Sequence, residues 1–174
     1  MGFLSFRMST EKDLPFYQAL LNDPEWINNS GLRTEDFCTE DKILHFITKQ
    51  AEEDIKGIVV KTTDKEDIGF CHFKYLGSER YDITGGIKTS LLNKGYGLYS
   101  FVYCIDYLFR NRPCKELQSI VYELNSRSKK MDLSVGFLES DSLYYDIRKF
   151  IVYVLTPDNF YNNPFTQYIL KRYL

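Results

Sequence analysis

Apolar and polar residues alternate from Phe3 to Met8, the period of a short strand. The next segment, STEKDLPFYQALLND, shifts to helical spacing. Ser9 or Thr10 is placed to cap that helix, and Asn22, Asp23 and Pro24 are placed to end it. Residues 25–40 show no clear period and read as irregular. In EDKILHFITKQAEED, the spacing of Ile43, Phe46 and Ile47 predicts a second helix. GIVVKTT and IGFCHFKYL are rich in β-branched and aromatic residues and predict two strands across the polar turn Asp64–Asp67. RYDITGGIK predicts a third, in which Gly85 and Gly86 mark a bulge or a close approach to the backbone. Leu98, Phe101, Val102, Ile105, Leu108 and Phe109 then recur at i, i+3, i+4, i+7, an amphipathic helix stopped by Asn111 and Pro113. LQSIVYEL reads as a strand and NSRSKKMDLSV as a helix with Gly136 at its end. FLESD and YDIRKFIVYVLT read as a closing pair of strands, and NNPFTQYILKRYL as a last helix. The order predicts an α/β (mixed α+β) protein with one mixed sheet flanked by helices.

A length of 174 residues fits one domain with a real core. The net charge of −2, with 26% charged residues of both signs, offers no basic face for nucleic acid. Cys38, Cys71, Cys104 and Cys114 form no C-x-x-C pair, and His45 and His72 have no ligand spacing with them, so no metal site is expected. Cys71 and Cys104 sit in apolar segments, as reduced thiols of a cytoplasmic protein do. The N-terminus turns polar within a few residues, unlike a signal peptide, and no apolar run is long enough for a membrane span.

The remaining question is chemical and centres on LLNKGYGLYSF. A strand that passes through a glycine-containing turn into a helix N-terminus makes an anion site, because the first helical amides lack internal partners and the dipole is positive there. Gly95 and Gly97 leave those amides open and Lys94 adds a charge. A turn with glycines for geometry alone is the other reading. No Gly-Lys-Ser/Thr follows, and Ser100 breaks G-x-G-x-x-G, so the motif is neither a nucleotide P-loop nor a dinucleotide fingerprint.

Nearly the whole chain resembles the GNAT N-acetyltransferases, especially the ribosomal-protein-alanine branch. FRMSTEKDLPFYQALLNDPE looks like that branch's first strand and helix. ITGGIKTSLLNKGYGLYSFVYCIDYLF looks like its central strand, pyrophosphate loop and following helix, and ELNSRSKKMDLSVGF like its Asn-x-x-Ser/Ala segment. The family loop Gln/Arg-x-x-Gly-x-Gly/Ala falls on Leu92, Asn93, Lys94, Gly95, Tyr96 and Gly97, with leucine replacing the usual polar first residue. The resemblance implies a twisted mixed sheet with acyl-CoA in a cleft between two splayed central strands. Residues 1–174 would form a single domain, with 157–174 as a C-terminal extension that packs on it or joins a homodimer.

It further implies acetyl transfer from acetyl-CoA, without metal, to an amine: a small molecule or a protein N-terminus, with neither nucleic acid nor membrane as partner. Gly85, Gly86 and Ile87 would run beside the pantetheine arm, and Asn93 to Leu98 would cradle the pyrophosphate. Ser128 is the first candidate proton donor to the leaving thiolate, and Asn125 would orient the cofactor or a water; a surface serine and a helix N-cap are their plainer roles. Many relatives carry a tyrosine seven residues after that asparagine, where this chain has Asp132. Tyr96, Tyr99 and Tyr122 are substitutes that the spacing does not separate. Asp82 and Glu123 are candidate bases, each also readable as a solvated charge. His72, Tyr75 and Tyr81 read as packed strand residues or cleft lining. Glu25, Trp26, Asp36 and Glu40 would suit a cationic acceptor, or be an ordinary loop. The departure at Leu92 leaves an alternative open: a degenerate GNAT-fold acyl-CoA-binding or protein-interaction module with little or no transfer.

Overall fold

The computed structural model describes residues 4–31, 39–49 and 52–173. The strands are β1 (Leu4–Met8), β2 (Ile55–Lys61), β3 (Glu66–Gly77), β4 (Arg80–Ile87), β5 (Glu116–Tyr122), β6 (Leu138–Tyr145) and β7 (Arg148–Leu155). They form one sheet in the order β1-β2-β3-β4-β5-β7-β6. Every neighbouring pair is antiparallel except β4 and β5. The helices are α1 (Leu14–Leu21), α2 (Pro24–Ser30), α3 (Glu40–Thr48), α4 (Tyr96–Asn111), α5 (Ser126–Ser134), α6 (Pro157–Asn162) and α7 (Pro164–Tyr173).

Strand pleating sorts the side chains to two faces. Cys71, Phe73, Ile83, Leu117 and Leu155 point to one face, where Val102, Ile105 and Leu108 of α4 cover them. Burying one such leucine or isoleucine contributes about 1.5–3 kcal/mol, so this face dominates the core. Phe70 and Ile58 point to the other face, under Tyr17, Leu20 and Leu21 of α1 and Ile43 and Ile47 of α3. His72 belongs to this second core. Its Nε2 lies 2.8 Å from the Tyr17 hydroxyl, which lies 2.8 Å from Ser9 Oγ. Burial pushes His72 down to about 3, so it is a neutral packed residue.

Three elements differ from the sequence reading. Residues 25–40 are not irregular throughout, because Pro24–Ser30 is helical. Asp23 caps it, its Oδ1 accepting from the amides of Glu25 at 2.9 Å and Trp26 at 3.3 Å. Asn22, Asp23 and Pro24 therefore end one helix and start the next. Asp36 and Cys38 lie outside the described residues. The tail is two short helices, each opened by a proline and capped by Thr156 or Asn163. Phe160 is buried in the main core, and the Thr166 hydroxyl donates to the Val135 carbonyl at 3.3 Å.

The third concerns Gly85 and Gly86, where the bulge reading fails and the close-approach reading holds. The β3–β4 register runs unbroken past them, Cys71 facing Gly85 and Phe70 facing Gly86, and shifts only between Tyr75 and Gly77. No bulge is present there. A β-carbon on Gly86 would lie 2.6 Å from Trp26 Nε1, and one on Gly85 would lie 2.9 Å from the Phe70 carbonyl oxygen. The approach these glycines permit is first of all the protein's own.

Candidate functional site

The parallel pairing of β4 with β5 covers only Arg80–Ile83 against Glu116–Ser119. Beyond it the strands diverge. β4 continues to Ile87 on β3 alone, and Ile120 to Tyr122 continue on β7 alone. Among the described residues, Thr84–Ile87 therefore keeps one edge without a strand partner. A cavity of about 580 Å³ fills the divergence.

Side-chain parity shows that this cavity passes through the sheet. Asp82 faces Lys74 in the ladder and shares the α1/α3 side with Phe70 and His72. Ser119 faces Ile83 and shares the α4 side. Both line the cavity. On the Asp82 side it is walled by Glu25, Trp26 and Asn29 of α2 and by Tyr122. On the Ser119 side the walls are Ser100 and Cys104 of α4 and Ser128, Met131 and Asp132 of α5.

Beyond the free edge, a turn of 3-10 helix at Thr89–Leu91 leads into the glycine loop. Asn93 (φ 60°) and Gly95 (φ 85°) both take the left-handed conformation, which swings the chain into α4 with Gly95 as N-cap. The first internal α4 bond is Tyr99 N–H to Gly95 O at 3.1 Å. The amides of Tyr96, Gly97 and Leu98 precede it, at the positive end of a sixteen-residue helix. Gly97 is glycine for no reason of packing. Its φ is ordinary, and the nearest atom to an added β-carbon is Ile87 Cδ1 at 3.4 Å. It lines the cavity, as do Leu92, Asn93, Gly95 and Leu98, whereas the exposed Lys94 and the core-packed Tyr96 do not.

Asn125 caps α5, its Oδ1 accepting from the Ser128 amide at 3.1 Å. The same side chain reaches across the cleft, Nδ2 donating to the Asn29 carbonyl at 2.9 Å. It thus ties α2 to α5, and Arg127 and Glu25 add an exposed ion pair at 3.4 Å beside it. Glu123 is placed away from the cavity, 3.3 Å from Lys149 Nζ. Glu40 is exposed on α3, and Tyr75 and Tyr81 pack on each other with ring centroids 5.1 Å apart.

Among the described residues, buried side-chain polar atoms without a hydrogen-bond partner are His72 Nδ1, Asp82 Oδ1, Ser100 Oγ and Asp132 Oδ2. All but the first line this cavity. Unpartnered buried polar groups are costly, so their convergence marks a place built for a polar guest. Burial raises Asp82 to about 6, against the pull of the Gln118 hydrogen bond and Lys74. Burial raises Asp132 to about 7, against a hydrogen bond from Ser119. Among the cavity-lining polar residues, Ser100 and Ser119 were the ones that the chain hid best. Asp132 had one signal, its place seven residues after Asn125, where many relatives carry a tyrosine.

The Asp132 carboxyl is expected to cost stability. Its folded value lies above the ordinary 3.8, so the native state keeps a proton that the unfolded chain releases. Stability is then lost as pH rises from about 4 to about 7. Asp132→Asn does not titrate, so chemical denaturation should show the variant gaining over the parent across that window, by up to about 4 kcal/mol above it, with the gain absent below pH 4. A gain that did not depend on pH would contradict this placement.

A family model described as an acetyltransferase (GNAT) domain matches residues 4–138. No curated protein matches the sequence significantly. Among solved structures, the chain is similar in fold to spermidine N-acetyltransferase from Vibrio cholerae in complex with CoA and spermine. The TM-score is 0.80 at 15% identity, over 92% of this chain and 99% of that one. It is similar to aminoglycoside acetyltransferase AAC(6')-Ib in complex with coenzyme A, with TM-score 0.76 at 18% identity over 90% and 96%. A third is ribosomal-protein-S5-alanine acetyltransferase from Vibrio fischeri, with TM-score 0.73 at 14% identity over 92% and 96%. At these identities the likeness is one of fold.

Proposed function

Because the chain belongs to the GNAT acetyltransferase family and is an N-acetyltransferase, we propose that it carries an acetyl group from acetyl-CoA directly to a primary amine, both substrates bound together. The observation that carries this reading is the unpartnered edge of Thr84–Ile87, ending in a glycine loop and a helix N-terminus. A ligand with peptide-like amides and a pyrophosphate, in that order, suits such a path. The pantetheine arm would add to the β4 edge as a short strand beside Gly85, Gly86 and Ile87. The pyrophosphate would lie on the amides from Asn93 to Leu98. Gly97, open toward the cavity without a packing reason, fits that approach.

The residues of the chain divide the work by face. Asp82, on the α2 side, takes the proton from the attacking nitrogen, held above the usual carboxylate range yet ionised at neutral pH. Asn125 holds the α5 wall in place, and Ser128 offers a hydroxyl to the leaving sulfur. Glu25, Asp82 and the Trp26 ring on the α2 side favour a cationic acceptor. Spermidine, aminoglycosides and a ribosomal protein are named for the three structures above, and the same amine classes are the proposed range here.

One observation favours a second reading, acyl-CoA binding with little transfer: Leu92 lines the cavity and offers no hydrogen bond to a phosphate. Calorimetric titration with acetyl-CoA and CoA separates the outcomes. Micromolar binding, about −8 kcal/mol, followed by thiol release with spermidine, an aminoglycoside or a peptide N-terminal amine supports transfer. Binding without thiol release for any amine assigns the chain to the second reading, and no binding overturns both.

A further inference from the structure

Resting on that reading, we propose that Asp132 is a catalytic acid that delivers the proton to the departing thiolate of CoA. Three features of the structure point to it. Asp132 is 1% exposed, and its Oδ2 has no partner although it lines the cavity. It lies on the opposite face of the sheet from Asp82, the face shared by α4, whose N-terminus follows the glycine loop. It also sits one helical turn after Ser128, and both side chains line the same wall.

Its surroundings keep a proton on it. Ser100 and Cys104 of α4 line the same cavity, Ser119 of β5 hydrogen-bonds to the carboxyl and opposes the proton, and Tyr153 of β7 interacts with it from outside the cavity lining. The Tyr153 phenol is itself held protonated by burial and by Glu139 and Asp132. Burial outweighs the Ser119 hydrogen bond and places Asp132 at about 7. A carboxyl buried in this way is available as an acid at neutral pH.

The step balances. The amine nitrogen forms its bond to the acetyl carbon and gives a proton to Asp82. The carbon–sulfur bond breaks with its electron pair going to sulfur, and the Asp132 proton passes to that sulfur, directly or through the Ser128 hydroxyl. Products are the amide and the CoA thiol. Asp82 then loses a proton to solvent and Asp132 regains one. Two carboxyls on two faces of one sheet thus serve the two ends of the reaction.

The test compares two acetyl donors, acetyl-CoA and p-nitrophenyl acetate, with a fixed amine. The aryl oxide is a good leaving group and needs no acid. With acetyl-CoA the parent's kcat should fall above about pH 7, and with the aryl ester that limb should be absent. Asp132→Asn should lower kcat with acetyl-CoA at least tenfold, change its KM less than threefold, and leave the aryl-ester rate within twofold. Equal losses with both donors, or no loss with acetyl-CoA, would overturn the assignment. The parent profile decides the matter by itself if the variant does not fold: a limb with both donors, or with neither, also overturns it. A parent that transfers from neither donor defeats the functional reading itself.

Discussion

Replacing Gly97 by glutamate is expected to abolish acetyl-CoA binding while leaving the protein at least as stable as before. The two effects come from the same position and have opposite signs. Gly97 is the second residue of α4, with ordinary helical backbone and no neighbour closer than 3.4 Å to an added β-carbon. Glutamate is a better helix former than glycine by about 0.5 kcal/mol or more. An acidic residue in a first turn adds about 0.3–1 kcal/mol through the dipole. The same carboxylate stands in the proposed pyrophosphate cradle, where it fills space and repels a dianion at short range. Affinity should fall more than a hundredfold by calorimetry, with the denaturation midpoint unchanged or raised. Unchanged affinity would move the cofactor site elsewhere. Gly95 is a poorer place for this test, since its φ of 85° and the Tyr99 ring 2.9 Å from an added β-carbon would disturb the loop itself.

Replacing Asp82 by asparagine is expected to lower kcat/KM for the amine by about a hundredfold to a thousandfold. The side chain keeps its shape and can still pair with Gln118, but it can no longer accept a proton. In the parent, kcat/KM should rise with pH through about 6, where burial has set this carboxyl, before the fall above about 7 expected from Asp132. The variant should lose that break while its affinity for acetyl-CoA stays within a few-fold. A full-rate variant would exclude Asp82 as the base, and Glu123, already paired with Lys149, would not replace it without rearrangement.

Much of the architecture was legible because it is written in periods. The α4 stripe from Leu98 to Phe109 and the β-rich runs of β2, β3 and β5 appear where their spacing places them. The misreadings fall where one residue does two jobs. Asp23 looks like a helix terminator and is also the cap of α2. Gly85 and Gly86 read as a bulge or a close approach, and the unbroken ladder with Trp26 and Phe70 against them selects the approach. The site was legible in part. Gly95, Gly97, Asn125 and Ser128 stood out by spacing, and all line the cavity. Asp132 stood out only as a departure, an aspartate where many relatives carry a tyrosine, and Ser100 and Ser119 did not, because a lone serine in an amphipathic segment carries no period. Their importance comes from the divergence of β4 from β5, a long-range property of the sheet.

The passage through the sheet turns that sheet into a partition. The groups proposed to choose the amine, on α2 and the Asp82 face, and those proposed to handle the thioester, on α4 and α5, lie on opposite sides, joined by the Asn125–Asn29 bond and the Arg127–Glu25 ion pair. Residues on one side can change over evolutionary time without disturbing the other. Variation in α2 would then redirect the enzyme to new amines while the thioester half is inherited intact, and one backbone would serve many acceptors.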